Sequence, residues 1–303
     1  MTSPFARAVR RRLQALRAFS LSLSTLPVLL ACAIARPVRR WDWPIVLAAV
    51  AAAALIHLFG NLLNDSFDFR YGVDRRTAED DGRPGRLLVR GELAPRDVLG
   101  LALACLALAA VPAAYLIWRR GLVVAEFGAF AVLAAYAYTG PPFVLKYRAL
   151  GEAAISVAFG PALMLAAAYA LTGELAWSVL PLSAAVGCAT TCILVGNNLR
   201  DRDEDAHAPG VRVRTLAQFA DGRLAKWLYV ALPVAATALP AALAAARIAP
   251  WPLLAAPATL LLLARPFAAV LAVRRLPDID VRTAAFTTAL LLLLLAAYLL
   301  APR

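Results

Sequence analysis

Long apolar runs alternate with short polar, basic or acidic ones along the whole chain, and the spacing is that of a bilayer rather than of a water-soluble core. Nine runs stand out, at about 19 to 35, 44 to 64, 98 to 117, 122 to 140, 150 to 171, 177 to 197, 226 to 246, 251 to 272 and 283 to 300. Each is close to the ~20 residues with which a helix crosses a hydrocarbon core of about 30 Å. The pattern predicts an all-α polytopic membrane protein, with residues 1–303 forming a single membrane domain and no soluble partner domain.

Composition agrees: 62% of the 303 residues are hydrophobic and the mean hydropathy is +0.71. The net charge of +12 raises nucleic acid as a partner, but its distribution argues against one. Of 31 Lys and Arg residues, 23 fall on the side of the membrane that holds the N-terminus and 7 on the other, with Arg265 inside the eighth run. Basic loops stay in the cytoplasm, so this asymmetry predicts a cytoplasmic N-terminus, an external C-terminus and a site facing the cytoplasm, in a bacterial inner membrane. Residues 7 to 35 have the layout of a signal peptide, with Arg10, Arg11 and Arg12 ahead of an apolar stretch, but are read as the first membrane helix because eight further spans follow. Cys32, Cys105, Cys188 and Cys192 all lie in apolar runs, without disulfide or zinc spacing, and are read as packing residues.

The acids change the picture. Of 19 Asp and Glu residues, eight fall between Asp65 and Asp97 and five between Asp201 and Asp221, each group at the foot of an apolar run. The first begins with Asn61, Asn64, Asp65 and Asp68 and continues to Gly72 and Asp74; the second begins with Asn197, Asn198, Arg200 and Asp201 and continues to Asp203, Glu204 and Asp205. Laying Asn61 on Asn197, 136 positions away, also lays Asp65 on Asp201. Solvated loops alone do not explain an equal spacing that extends the helical pattern. Residues four apart share a helix face, so each pair projects an amide and a carboxylate to one side, with Asp205 continuing the second row and Asp68 near the first. Carboxylates at a membrane boundary are costly unless they meet water, a cation or each other, and Mg²⁺ binds through one or two carboxylates plus water and phosphate oxygens. The two matched sets therefore predict a magnesium site for a phosphorylated ligand, with Asp65, Asp68, Asp201 and Asp205 on the metal. Lys146, Arg148, Arg200, Arg212 and Arg214 stand on the same side to meet phosphate charge, Lys146 and Arg200 foremost.

At this level of detail the chain resembles a known family. The runs Asn64-Asp-Ser-Phe-Asp68-Phe-Arg-Tyr-Gly72-Val-Asp74, Tyr138-Thr-Gly-Pro-Pro-Phe-Val-Leu-Lys146, and Asn197-Asn-Leu-Arg-Asp201 leading to Arg214-Thr-Leu-Ala217 are similar to the motifs of the UbiA superfamily of intramembrane aromatic prenyltransferases. Gly72-Val-Asp74, Phe159-Gly-Pro161, Tyr169 and Thr172-Gly173 most resemble its 1,4-dihydroxy-2-naphthoate polyprenyltransferase (MenA-like) branch of menaquinone synthesis. The resemblance implies helices around a central cavity open sideways to lipid, and Mg²⁺-dependent prenyl transfer from an isoprenoid diphosphate to an aromatic acceptor. It implies that Asn61, Asn64, Asp65, Asp68, Asn197, Asp201 and Asp205 hold magnesium and the diphosphate, and that Lys146 contacts the diphosphate. Arg200, Arg214 and Tyr138 complete the expected substrate contacts. The chain departs from the family at Arg17, which is followed by Ala rather than Pro, at Pro141 and Pro142, and in the acidity of Asp203 and Glu204.

Other readings remain open at this stage. Other acceptors, 4-hydroxybenzoate or a specialised lipid or quinone precursor, suit the same motifs, and a divalent-cation transporter also uses acidic helix ends. His57, one turn from Asn61, is either a cavity residue or a satisfied buried histidine. Tyr138, Phe143 and Tyr147 either flank an allylic cation or mark the membrane interface. Glu152 is expected to cap the fifth helix. Arg265 is either a snorkelling residue or a cavity cation. Tail length and oligomeric state leave no trace in the pattern.

Overall fold

The computed structural model describes residue 11 and residues 15–74, 87–206, 213–272 and 277–301. They are helical almost throughout. Among the described residues there is no β-strand, only an isolated bridge between Arg148 and Arg214. The first helix, α1 (Ser22–Ala35), is followed by eight helices long and apolar enough to cross a membrane: α2 (Trp43–Tyr71), α3 (Pro95–Arg120), α4 (Leu122–Thr139), α5 (Gly151–Thr172), α6 (Trp177–Arg200), α7 (Arg223–Ala245), α8 (Trp251–Leu271) and α9 (Ile279–Leu300). The expected first span is shorter than its sequence suggests, because Ala18–Leu21 form a 3-10 turn and only 14 residues are α-helical. At 1.5 Å per residue, α1 reaches about 21 Å, short of a bilayer core of about 30 Å.

The two helices that carry the acids end differently. α2 has 29 residues, about 44 Å, so its last turns outrun the apolar core and bear Asn61, Asn64, Asp65 and Asp68 as helical residues rather than loop residues. It stops at Gly72, whose φ of 67° lies in the left-handed region that glycine enters without a Cβ clash, and whose N–H bonds the Phe69 carbonyl at 3.1 Å. α6 ends at Arg200, and Asp201, with ψ near 3°, interrupts the helix before the single turn Arg202–Asp205. The Asp201 N–H still bonds Asn197 O and the Asp205 N–H bonds Asp201 O, both at 2.9 Å, so the second acidic row resumes after a one-residue break.

Side chains of α1, α2, α5, α6 and α9 interlock in the main core, where Val28, Ile45, Met164, Val186, Phe286 and Leu290 are at most 1% exposed. α5 passes through a π-helical segment, Ala158–Ala162, around Pro161, which has no N–H to give to the regular ladder. Beside it, α5 and α6 touch backbone to backbone: a Cβ on Gly160 would lie 2.5 Å from Ser183 O, and one on Gly187 2.6 Å from Ser156 O. Outward surfaces are apolar, with Leu47, Val111, Leu261 and Leu300 more than 60% exposed, as lipid-facing positions are. Trp43, Trp118, Trp177 and Trp251, each at least 50% exposed and close to a helix end, have the placement of an interfacial aromatic belt.

Candidate functional site

The acidic ends of α2 and α6 meet at the mouth of a chamber of about 480 Å³. Asn61, Asn64, Asp68 and Asp74 line it from one side, and Asn197, Arg200, Asp201 and Asp205 from the other. Lys146 and Tyr138 enter from the α4–α5 connection, Arg17 and Ser20 from the segment before α1, and Asp280 from the first turn of α9. Deeper walls are apolar, among them Ala53, Ile56, Phe127, Ala131, Phe159 and Leu194. One cavity thus joins a charged rim to an oily interior.

Asp68 is the hub of the first half. It is 4% exposed and accepts from Asn64 Nδ2 at 3.0 Å, Lys146 Nζ at 2.6 Å and the Tyr147 hydroxyl. Lys146 also donates to Asn64 Oδ1 at 3.2 Å, and its ammonium stands 5.6 Å from the Tyr147 ring centre. The loop that delivers Lys146 is held close by glycine, since a Cβ on Gly151 would lie 3.1 Å from Lys146 Cα and 3.2 Å from Tyr138 Cε2. Burial by itself pulls the Lys146 pKa down, but Asp68 and Asp205 outweigh it and hold the ammonium charged, above its ordinary value. The Tyr147 hydroxyl is pushed up, by burial first and then by Asp68, and stays protonated as a donor. Burial likewise raises Asp74, with Asp68 adding to it, and raises Asp205 to about 7 despite the opposing charge of Lys146.

Two arginines hold the remaining carboxylates. Arg17, in a left-handed backbone conformation at φ 50°, pairs with Asp65 and covers it. Asp65 is therefore 4% exposed and does not itself line the chamber, although Asn61, one turn away on the same face, does. Arg200 grips Asp201 with Nε and Nη2 at 2.8 and 2.7 Å, and its Nη1 reaches Asp280 at 2.6 Å. The Asn197 Oδ1 is buried and has no hydrogen-bond partner.

Several sequence expectations change here. The Arg214 side chain is exposed and lies away from the chamber wall; its contribution is a backbone N–H to Tyr147 O at 3.0 Å, which ties residues 213–215 to the Lys146 loop. Arg148, Asp203 and Phe143 are also exposed and do not line the chamber. Glu152 does not cap α5: it is 5% exposed and accepts from Asn198 Nδ2 at 2.9 Å, which turns the second asparagine of the pair into the bundle. Arg265 is exposed on the outside of α8, so the cavity-cation reading falls. Arg212 and Arg274 lie outside the described residues, as does the side chain of Glu204. In the other direction, Arg17 is more central than its departure from the family pattern suggested. Asp280 was missed, and its only sequence signal was an acid in the first turn of the last apolar run.

The donor chemistry fits magnesium. The rim offers carboxylate and amide oxygens, and the orphaned Asn197 Oδ1 still needs a partner. Among the described residues no three acidic, histidine or cysteine groups converge tightly enough to hold an ion unaided. That agrees with an ion that takes one or two carboxylates and completes its shell with water and phosphate oxygens.

Known proteins share both sequence and shape with the chain. The profile of the UbiA prenyltransferase family matches residues 24–293. UbiA prenyltransferase domain-containing protein 1 of Danio rerio is 35% identical over 202 residues, covering 64% of this chain and 57% of that protein, so the chain spans less than two thirds of that relative. A 1,4-dihydroxy-2-naphthoate octaprenyltransferase of Mycobacterium tuberculosis is 32% identical over 209 residues, covering 69% of this chain and 68% of that protein. A UbiA homolog from Archaeoglobus fulgidus, solved bound to GPP and Mg²⁺, superposes with a TM-score of 0.62 at 16% identity, covering 95% of this chain and 99% of that one. The helical architecture and the run of apolar spans are those of an integral membrane protein, and the profile match over most of its length makes this chain a member of the UbiA prenyltransferase family.

Proposed function

We propose that the chain transfers a prenyl group from an isoprenoid diphosphate to an aromatic acceptor with Mg²⁺ as cofactor, and that the acceptor is 1,4-dihydroxy-2-naphthoate, in menaquinone biosynthesis. The supporting observation is the single chamber with a charged rim and apolar walls, which suits a ligand with an anionic head and a long oily tail. The similarity to naphthoate octaprenyltransferases supports the choice of acceptor. Similarity to UbiA prenyltransferase domain-containing proteins of animals favours a second reading, the same transfer to a different aromatic acceptor.

In this reading the residues divide the work by charge. Asp68, Asp201 and Asp205 would hold magnesium, joined by Asp65 once Arg17 turns to the diphosphate. The bound metal would neutralise charge that builds on the diphosphate as the allylic carbon–oxygen bond breaks. Lys146 and Arg200, already at the rim, add donors to the same phosphates, Arg200 in the bidentate geometry it shows with Asp201. Asn61, Asn64 and Asn197 orient the head group through their amides. Tyr138 stands at the junction of rim and apolar wall, beside the reacting carbon, and the walls below exclude water that would otherwise capture the electrophile. Residues 1–303 act as one membrane domain, with the rim on the cytoplasmic side as the basic loops suggest.

The test is product mass spectrometry of purified protein incubated with Mg²⁺, prenyl diphosphates of several lengths and a panel of aromatic acceptors. A prenylated naphthoquinol that forms only with metal, donor and 1,4-dihydroxy-2-naphthoate supports the reading. Prenylation of another acceptor alone replaces the acceptor, and ion flux without any turnover overturns the enzyme.

A further inference from the structure

The apolar interior of the chamber is interrupted by one polar cluster, which the diphosphate reading does not use. His57 lines the cavity one turn below Asn61, and its ring meets the edge of Phe159 at 5.1 Å between centres. Two serines from the other side of the chamber face its two nitrogens: Ser24 Oγ lies 3.0 Å from Nδ1, and Ser20 Oγ 3.4 Å from Nε2.

Counting hydrogens assigns the tautomer. Each serine has one hydroxyl hydrogen. Ser24 gives its hydrogen to Leu21 O at 3.2 Å, so its oxygen accepts from the ring, and the proton sits on Nδ1. Ser20 gives its hydrogen to Arg17 O at 2.9 Å and receives Asn61 Nδ2 at 3.2 Å, which leaves it nothing to donate to Nε2. The opposite tautomer would require Ser24 to release the Leu21 carbonyl and would place the ring N–H on the longest contact of the cluster. Nε2 is therefore a lone pair without a donor, in a cavity whose neighbouring wall is apolar.

We infer that His57 Nε2 accepts the hydrogen bond of a hydroxyl group on the aromatic acceptor, making His57, with Ser20 and Ser24 behind it, the element that selects hydroxylated rings. This rests on the prenyl-transfer reading and deepens it. A hydroxyl bonded to Nε2 would hold the ring in the upper part of the chamber, below the rim where the diphosphate sits, and its oxygen would release more electron density into the attacking ring. No proton need leave the hydroxyl for this role.

The experiment has two arms on the full-length protein in detergent. The first is ¹⁵N imidazole NMR, which is simple because the chain holds only His57 and His207, the latter assigned with His207→Gln. The Nδ1–H tautomer is expected for His57 without any substrate; an Nε2–H tautomer overturns the inference whatever the protein catalyses. The second arm compares 1,4-dihydroxy-2-naphthoate with its mono-methyl ethers. The wild type should disfavour the ether that blocks the contacted hydroxyl by roughly 10- to 100-fold in kcat/KM, the scale of one buried unsatisfied partner. His57→Phe should lose that preference while keeping the KM for the prenyl diphosphate, and His57→Gln, whose amide oxygen can accept, should recover part of it. Unchanged discrimination in His57→Phe overturns the inference. If the wild type prenylates no acceptor at all, the functional reading falls, and the NMR arm still decides the geometry.

Discussion

Lys146→Met, combined with Asp68→Asn, tests the centre of the site most directly. Lys146 and Asp68 are 15% and 6% exposed and 2.6 Å apart, so the pair is shielded from solvent on both sides. Removing one member of a buried pair costs ~3–5 kcal/mol, because the other charge is left unpaired. Asp68 keeps Tyr147 and Asn64 as donors, which holds the loss for Lys146→Met to the low end, about 3 kcal/mol, within the usual worth of a buried pair. Asp68→Asn alone strands the ammonium and should lose a similar amount. The double variant buries no net charge, so its loss should be about 4 rather than about 6 kcal/mol, a coupling of ~2 kcal/mol in the range measured for neighbouring residues. Unfolding in mixed micelles, followed by tryptophan fluorescence, reads all four corners of the cycle. In the kinetic arm, Lys146→Met should raise the KM for the prenyl diphosphate at least about tenfold and leave that for the acceptor unchanged, because a phosphate partner is lost and the ring site is untouched. Additive losses within ~0.5 kcal/mol would show that the two side chains do not interact, and an unchanged donor KM would remove Lys146 from the diphosphate site.

Other perturbations separate the parts of the site. Asp65→Ala and Asp201→Ala should each abolish turnover while leaving the detergent-solubilised fold largely intact by circular dichroism; near-normal activity in either would count against its metal role. Arg214→Gln, which alters an exposed side chain but keeps the backbone N–H to Tyr147, should leave the donor KM within about twofold, the scale of a surface change of ~0.5 kcal/mol. Gly160→Ala places a methyl 2.5 Å from the Ser183 carbonyl, and forcing α5 from α6 should cost ~1–3 kcal/mol or more, read as a lower thermal midpoint. Asp205, raised by burial to about 7, binds a proton in the folded protein that the unfolded chain, with a carboxyl near ~3.9, has already lost. Metal-free protein should therefore lose stability as pH rises from about 4 to about 7, and saturating Mg²⁺ should flatten that slope by binding the ionised form; a metal-free midpoint that climbs over this interval would contradict the buried placement of Asp205.

Hydropathy is a local property, and it determined the helical class and the positions of the spans, because a helix in lipid must satisfy its own backbone whatever its neighbours are. The repeated spacing from Asn61 to Asp65 and from Asn197 to Asp201 was equally local, and it marked the two helix ends that the fold brings to one chamber. What the chain could not show by itself is which charge answers which. Arg17 reaches Asp65 across 48 positions, Lys146 reaches Asp68 across 78, and Arg200 divides between its neighbour Asp201 and the remote Asp280. Arg214 stood beside the acids in sequence yet turns outward, while Ser20 and Ser24 carried no signal until α1 laid them against His57. These pairings depend on the rotation and depth of packed helices, which nonlocal contacts such as the Gly160–Gly187 crossing set and no stretch of sequence encodes alone.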